Sequence, residues 1–288
     1  MREPGTRWLP PEGLLQTVPP WRGARSLECR PLAGGRSNES WLVRADGEAF
    51  VLRRDRGRVP APVVDREREL TVLQAAAAAG LGPEVLHADP EAGILVTRWL
   101  DGQPLTPAEI GKPDTLTEIA ALLRRVHALP DPGGCYTPAG AGEVYLGAIR
   151  NPSLRRRGAE LVAELAALPT VPPAERRLCH MDPVAGNLIR TAAGLRLVDW
   201  EFAVAGDPVF DLAAVIAYHD LGAAAALHLL RDWSGRVSPR RRRRLAALIR
   251  AHDILHWLWL VAGGDRHRER QRLERRLDTD PLPEPRRS

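Results

Sequence analysis

The chain's densest group of residues able to move protons or hold cations is 179-CHMDPVAGNLIRTAAGLRLVDWEFA-203. His180, Asp182 and Asn187 follow one another in the order H-x-D-x-x-x-x-N, and Asp199 arrives after a short apolar run. Transfer of a phosphoryl group from ATP needs such a set. A carboxylate must receive the proton of the acceptor hydroxyl, and oxygen ligands must hold a cation against the phosphates. Asp182 stands where the base is required. Asn187 and Asp199 offer the oxygen donors that a hard cation such as Mg²⁺ prefers. Asp and Asn are also common turn residues, so the spacing alone does not separate a site from a polar hairpin.

The elements upstream must supply the remaining parts. Residues 27–55 read as two extended runs around Asp46-Gly47, a hairpin signal, with an earlier glycine-rich turn at 34-GGRSN-38. That turn, with Gly34, Gly35, Ser37 and Asn38, is the candidate phosphate loop. Phe50-Val51-Leu52-Arg53 supplies a strand ending in a cation, for which Arg54 is the immediate rival. Residues 65–79 read as a helix capped by Asp65 and ended by Gly80, and they offer Glu69 or Glu67 as the cation's partner. Two more strands are expected at 84–89 and 93–100. The turn formers of 101-DGQPLTPAEIGKPD-114 then mark a hinge.

Downstream the pattern becomes helical. A capping box at Thr115 and Glu118 is expected to open one helix, 131–142 to be a loop, and further helices to cover 153–167, 208–220, 222–233 and 239–262. The reading is α+β and two-lobed. A strand-rich nucleotide lobe occupies 1–100, a helical catalytic and substrate lobe 101–276, and a disordered tail 277–288, with a cleft at the junction.

Composition narrows the classes. Lys112 is the single lysine among 41 basic residues, and it is followed by proline, so no Walker A loop can form; arginine and backbone amides must serve the phosphates. The formal net charge of +5 invites a nucleic-acid reading, but the run 240-RRRRR-244 opens a helix and reads as a solvated face. Three widely spaced cysteines suggest neither a disulfide framework nor a zinc site and fit a reducing cytoplasm. The N-terminal stretch has no long apolar core, so no secretory signal is expected. The apolar run 254–264 is too short to span a bilayer.

The chain resembles the aminoglycoside phosphotransferase/choline kinase family, and within it the thiamine kinase and choline kinase types. The residues that carry the likeness are 178-LCHMDPVAGNLI-189, 195-LRLVDWEFAVAGDPVFDLAAV-215, 121-ALLRRVHALP-130 and 34-GGRSNESWLV-43. The resemblance implies a two-lobed protein-kinase-like fold, ATP and Mg²⁺ as cofactors, Asp182 as base, and Asn187 and Asp199 as metal ligands. It further implies Arg53 on the ATP phosphates with Glu69 as its partner, and residues 95–100, including Thr97, Trp99 and Leu100, along the adenine. Asp207 and Asp211 are read as cap and scaffold. Arg53 departs from the lysine usual in that superfamily.

For the acceptor, a small and possibly cationic alcohol is expected, with Glu201, Asp220 and Trp257 as candidate contacts, since carboxylates and aromatic faces hold cations. Thiamine or a choline-like amino alcohol is the first choice and an aminoglycoside the alternative. A non-catalytic kinase-like module would have lost Asp182, Asn187 or Asp199. A metal-dependent hydrolase built on His180, Asp182 and Asp199 would need further histidine ligands, for which His252 and His256 are the only helical pair.

Overall fold

The computed structural model describes residues 10, 13–32, 38–55, 64–263 and 267–283. The candidate phosphate loop at Gly34, Gly35 and Ser37 lies outside them, and Asn38 is its first described neighbour. A short helix α1 (Leu14–Thr17) precedes a five-stranded antiparallel sheet built from β1 (Leu27–Pro31), β2 (Asn38–Ala45), β3 (Glu48–Asp55), β4 (Val85–Asp89) and β5 (Ile94–Arg98), in the order β1-β2-β3-β5-β4. The β2–β3 hairpin turns at Asp46-Gly47, both with positive φ, as that dipeptide predicts. Trp41, Val43, Phe50, Leu52 and Val96 fill one small core beneath this sheet.

Helix α2 (Arg66–Ala78) crosses between β3 and β4. Asp65 caps it by accepting the Arg68 N–H at 3.0 Å, and Gly80, at φ +68°, follows its end. Its buried face, Val72, Leu73 and Ala76, joins the larger core of the second lobe rather than the sheet's own core. Leu81 ties the same segment across, its carbonyl accepting the Leu197 N–H at 2.8 Å.

The rest of the chain is mainly helical. β6 (Gly102–Pro104) pairs with β8 (Leu188–Thr191), which forms a hairpin with β9 (Gly194–Leu197); β7 (Arg177–Cys179) pairs with β10 (Val204–Gly206). Gly102 is needed at the crossing, because a Cβ there would lie 2.5 Å from the Arg190 carbonyl oxygen. The helices are α3 (Pro107–Ile110), α4 (Pro113–Val126), α5 (Pro138–Ala148), α6 (Pro152–Ala166), α7 (Val209–Tyr218), α8 (Ala223–Ser234), α9 (Pro239–Ala262) and α10 (His267–Leu277).

Three expectations are corrected here. Thr115 does not cap a helix: Pro113, at the first helical position, starts α4 earlier, and Thr115 is buried inside it. The capping side chain in this region is Glu109, which accepts the Thr106 N–H at 2.8 Å. The expected loop 131–142 gives way to α5 from Pro138. Thr137 caps it, and its glycines, poor helix formers, let helices approach: a Cβ at Gly142 would sit 2.9 Å from the Leu165 side chain. The tail from 277 is packed as far as 283. Leu277 and Leu282 are buried, and Arg242 donates to the Leu282 carbonyl at 3.1 Å. The rest of the tail lies outside the described residues.

Helix α9 is the one helix among the described residues that is long and apolar enough to cross a membrane, its residues 254–262 belonging to the apolar run singled out in the sequence. It packs against α5, α6, α7 and α10 as the central helix of its lobe, which accounts for its apolar composition.

Candidate active site

β7 carries the chain into the loop with Leu178 and Cys179 buried. His180 follows, with no exposed surface. Its Nε2 donates to the Val198 carbonyl at 3.1 Å, its Nδ1 lies 3.3 Å from the Asp182 N–H, and its ring meets Trp200 edge-on at 4.8 Å. Burial pushes its pKa down to about 4, so it is a neutral strut joining the loop to the strand end, not a proton carrier. Met181 adopts φ +71°, a strained backbone for a non-glycine residue. Asp211 holds it there: this fully buried carboxylate accepts the His180 N–H at 2.9 Å and the Met181 N–H at 2.8 Å.

The strained step aims Asp182 at Asn187. The Asn187 amide donates to the Asp182 carboxylate at 3.0 Å and to its carbonyl at 2.9 Å. The β8–β9 hairpin then returns the chain, the Val198 N–H bonding to the Asn187 carbonyl at 3.0 Å, and delivers Asp199 at φ +64°. The Asp182 and Asn187 side chains therefore meet, and Asp199 stands one residue beyond the Val198 bond to Asn187.

Facing them is an ion network that joins the lobes. Arg53 grips Glu69 with both terminal nitrogens, at 2.5 and 2.7 Å, and its Nη1 lies 3.6 Å from Asp199 Oδ1. Strand alternation turns Arg54 to the other face, and α2 presents Glu69, not Glu67, to the cation. Arg66 was not singled out in the sequence. It donates to Asp55 at 2.7 Å, to Glu69 at 2.8 Å and to Glu201 at 3.1 Å. Its signal was its place three residues before Glu69 on one helix face. Burial alone would raise the Glu69 carboxyl, yet the Arg53 and Arg66 guanidinium groups hold it below its usual range.

Three acceptor candidates fare differently from expectation. Glu201 is 3% exposed and accepts from Asn38 at 2.8 Å as well as from Arg66, so its carboxylate is committed to holding β2 and α2. Asp220 sits in ion pairs with Arg276 at 2.7 Å and Arg272 at 2.9 Å. Trp257 is fully buried in the α9 core with its indole N–H on Glu274 at 3.2 Å, so it is corrected from acceptor wall to core. Its neighbour Trp259 is half-buried and close to His256, 5.9 Å between rings; His256 stacks on the exposed Tyr218 at 6.0 Å. His219 links this aromatic ledge to the loop by accepting the Ala185 N–H at 3.1 Å. Tyr145 lies on the second half of α5, beyond the expected loop 131–142, in a stretch whose sequence carries no site signal. Burial, and then the charges of Asp182 and Glu201, raises its phenol. Of the expected adenine contacts, Thr97 is buried in β5, and Trp99 and Leu100 follow it half-buried, the Trp99 N–H on the Ala49 carbonyl at 2.9 Å.

The residues fit a hard divalent cation. Asp199 Oδ1 is buried without a hydrogen-bond partner, although the side chain is 38% exposed. Asn187 spends its amide hydrogens on Asp182, which leaves its carbonyl oxygen as a ligand atom. Burial and the neighbouring carboxylates push Asp182 up to about 8, and burial with Glu201 raises Asp199; a cation there would relieve both. The one compact histidine-cysteine-carboxylate group among the described residues, His127, Cys179 and Asp211, is buried behind the His180–Asp182 loop, with His127 and Asp211 bonded to each other and Asp211 to the loop backbone. His252 and His256, with rings 6.1 Å apart, gain no third ligand among the described residues, which leaves the hydrolase reading without its metal set.

Comparison with known proteins places this geometry. A family model described as "Phosphotransferase enzyme family" matches residues 28–248. Thiamine kinase of Salmonella paratyphi A is 31% identical over 196 residues, taking in 63% of this chain and 63% of that enzyme. The chain thus spans less than two thirds of the length of the thiamine kinases it matches. Protein LicA of Haemophilus influenzae is 25% identical over 240 residues, covering 78% of this chain and 70% of LicA. A choline/ethanolamine kinase family protein from Mesorhizobium loti superposes with a TM-score of 0.69 at 26% identity, covering 92% of each chain. Choline kinase LicA from Streptococcus pneumoniae superposes at 0.71, with 24% identity and 88% and 94% coverage, a likeness of fold. The two-lobed plan is that of the protein-kinase-like small-molecule kinases.

Proposed function

The chain belongs to the phosphotransferase enzyme family, and from that premise we propose that it transfers the terminal phosphoryl group of ATP to the hydroxyl of a small alcohol. The observation that carries this reading is the Asp182–Asn187 pair, joined at 3.0 Å and set beside the unsatisfied Asp199 oxygen. In the proposed reaction Asp182 accepts the acceptor's hydroxyl proton as that oxygen bonds to the terminal phosphorus and the bond to the bridging oxygen breaks, releasing ADP. Asn187 orients Asp182 through its amide. The Asn187 side-chain oxygen Oδ1 and Asp199 would hold Mg²⁺, which when bound neutralises phosphate charge. Arg53, locked by Glu69, presents fixed positive charge at the same centre.

The favoured acceptor is thiamine or a choline-like amino alcohol. Tyr145 and the ledge of Tyr218, His256 and Trp259 offer aromatic faces to a cationic group. The relatives named thiamine kinase and choline kinase agree with that choice. The deciding experiment measures Mg²⁺-dependent ADP release with thiamine, choline, ethanolamine, aminoglycosides and sugars in parallel. Stimulation by thiamine or an amino alcohol is expected. Stimulation by aminoglycosides alone would move the assignment to the alternative acceptor, and silence across the panel would sink the kinase reading.

A further inference from the structure

One buried chain of hydrogen bonds reaches the catalytic loop from the far side of α8. Trp233 donates its indole N–H to His127 Nδ1 at 3.0 Å, the two rings meeting edge-on 5.7 Å apart. His127, 6% exposed at the end of α4, reaches Asp211 Oδ2 with its Nε2 at 3.0 Å. Asp211 in turn holds the His180 and Met181 N–H groups at 2.9 and 2.8 Å.

The order of donors fixes a tautomer. An indole N–H can only donate, so His127 Nδ1 is the bare nitrogen and Nε2 carries the hydrogen. Only that form can donate to a carboxylate. In the other tautomer a lone pair would face Asp211, and the carboxylate would lose one of its buried hydrogen bonds. The stakes are set by Met181, whose left-handed backbone needs over-determination by its surroundings to persist. Asp182 is the next residue, so a slack loop displaces the base directly. Misplacement of a reacting group by about 1 Å costs on the order of 100-fold in rate. The same group of side chains, with Cys179, could be read as a buried metal site, but the His127 and Asp211 atoms that would ligate are already spent on these bonds.

We propose that Trp233 selects the tautomer of His127, and that the two are positioning residues that hold the catalytic-loop backbone through Asp211. The proposal rests on the reading of Asp182 as the base; neither residue touches substrate.

The test uses the full chain with Trp233→Phe, His127→Gln and the double variant. The glutamine amide supplies an N–H toward Asp211 and has no tautomer to choose. Trp233→Phe is expected to lower kcat about tenfold, with the KM for ATP and for the acceptor within about twofold of wild type. Amide exchange at His180 and Met181 should accelerate, and ¹⁵N-histidine NMR should show His127 no longer held with a bare Nδ1. His127→Gln should retain most of the activity, and adding Trp233→Phe to it should cost nothing more. The proposal is overturned if folded Trp233→Phe keeps its exchange rates and tautomer, if kcat stays normal despite faster exchange, or if the loss is as large in the glutamine background, which would mean simple packing. Were the wild type inactive on every acceptor, the exchange and NMR arms would still decide the loop's dependence on Trp233, and only the functional reading would fall.

Discussion

Asp182 and Asn187 lie five residues apart, so their pairing was suggested by spacing, and the upstream order of loop, cation and acid was needed to read it as a site rather than a turn. Replacing Asp182 with asparagine should lower transfer by about 10²–10⁴-fold, the usual contribution of a positioned base. ATP affinity, read by titration calorimetry, should stay near normal. Near-normal turnover in that variant would remove Asp182 from its role. The Arg53–Glu69 pair was legible as an order of parts; for Arg66 the i,i+3 spacing pointed to Glu69, but nothing in the linear pattern pointed to Asp55 or Glu201, which it also binds. Glu69→Gln would leave two guanidinium groups short of a buried counter-charge, and a loss of about 3–5 kcal/mol is expected from a broken buried pair. A urea midpoint unmoved by that change would show the network to be solvated.

Helices and strands with strong caps and periodicity read well, and those shaped by packing did not. Asp65 and Gly80 bracket α2 in the sequence as they do in space. Helix α5 escaped because glycine signals a loop until a neighbouring helix is known to need the room. Two tryptophans two residues apart on α9 show the same limit: sequence marks both as aromatic, and only packing assigns one to the core. Trp257→Ala should cost about 3–5 kcal/mol of stability and leave the acceptor KM unchanged. Trp259→Ala should do the reverse, raising the acceptor KM several-fold with a small shift in Tm. If the two phenotypes were exchanged, the aromatic ledge would have to be redrawn on the other face of α9.

At the scale of the molecule, buried histidines and buried carboxylates pull the pH dependence of stability in opposite directions. Burial pushes His252 down to about 3 and His219 down to about 4, so both stay neutral in the folded chain. The unfolded chain takes up protons near the ordinary histidine value of about 6.5, and each such group then subtracts up to about 1.4 kcal/mol per pH unit below it. Asp253 works the other way: burial raises it to about 6, so it favours the fold as pH falls through that value. His180 is lowered like the other two, and Asp182 and Asp199 are raised like Asp253, so the opposing contributions are separated by variants rather than by the wild-type series. The urea midpoint of a folded His252→Asn variant, relative to wild type, should improve from pH 7 to pH 5, and an unchanged difference would refute the His252 assignment.

Arg66 and Asn38, from the sheet lobe, converge on Glu201 of the helical lobe, and Arg68 adds a bond to the Ala203 carbonyl at 3.0 Å. Parting the lobes along this edge would strand buried charge at a cost of about 3–5 kcal/mol. With about 1.4 kcal/mol per tenfold, a form opened there would be populated by roughly one molecule in a hundred to a few thousand. Any opening between the lobes would therefore have to turn about this joint rather than pass through it.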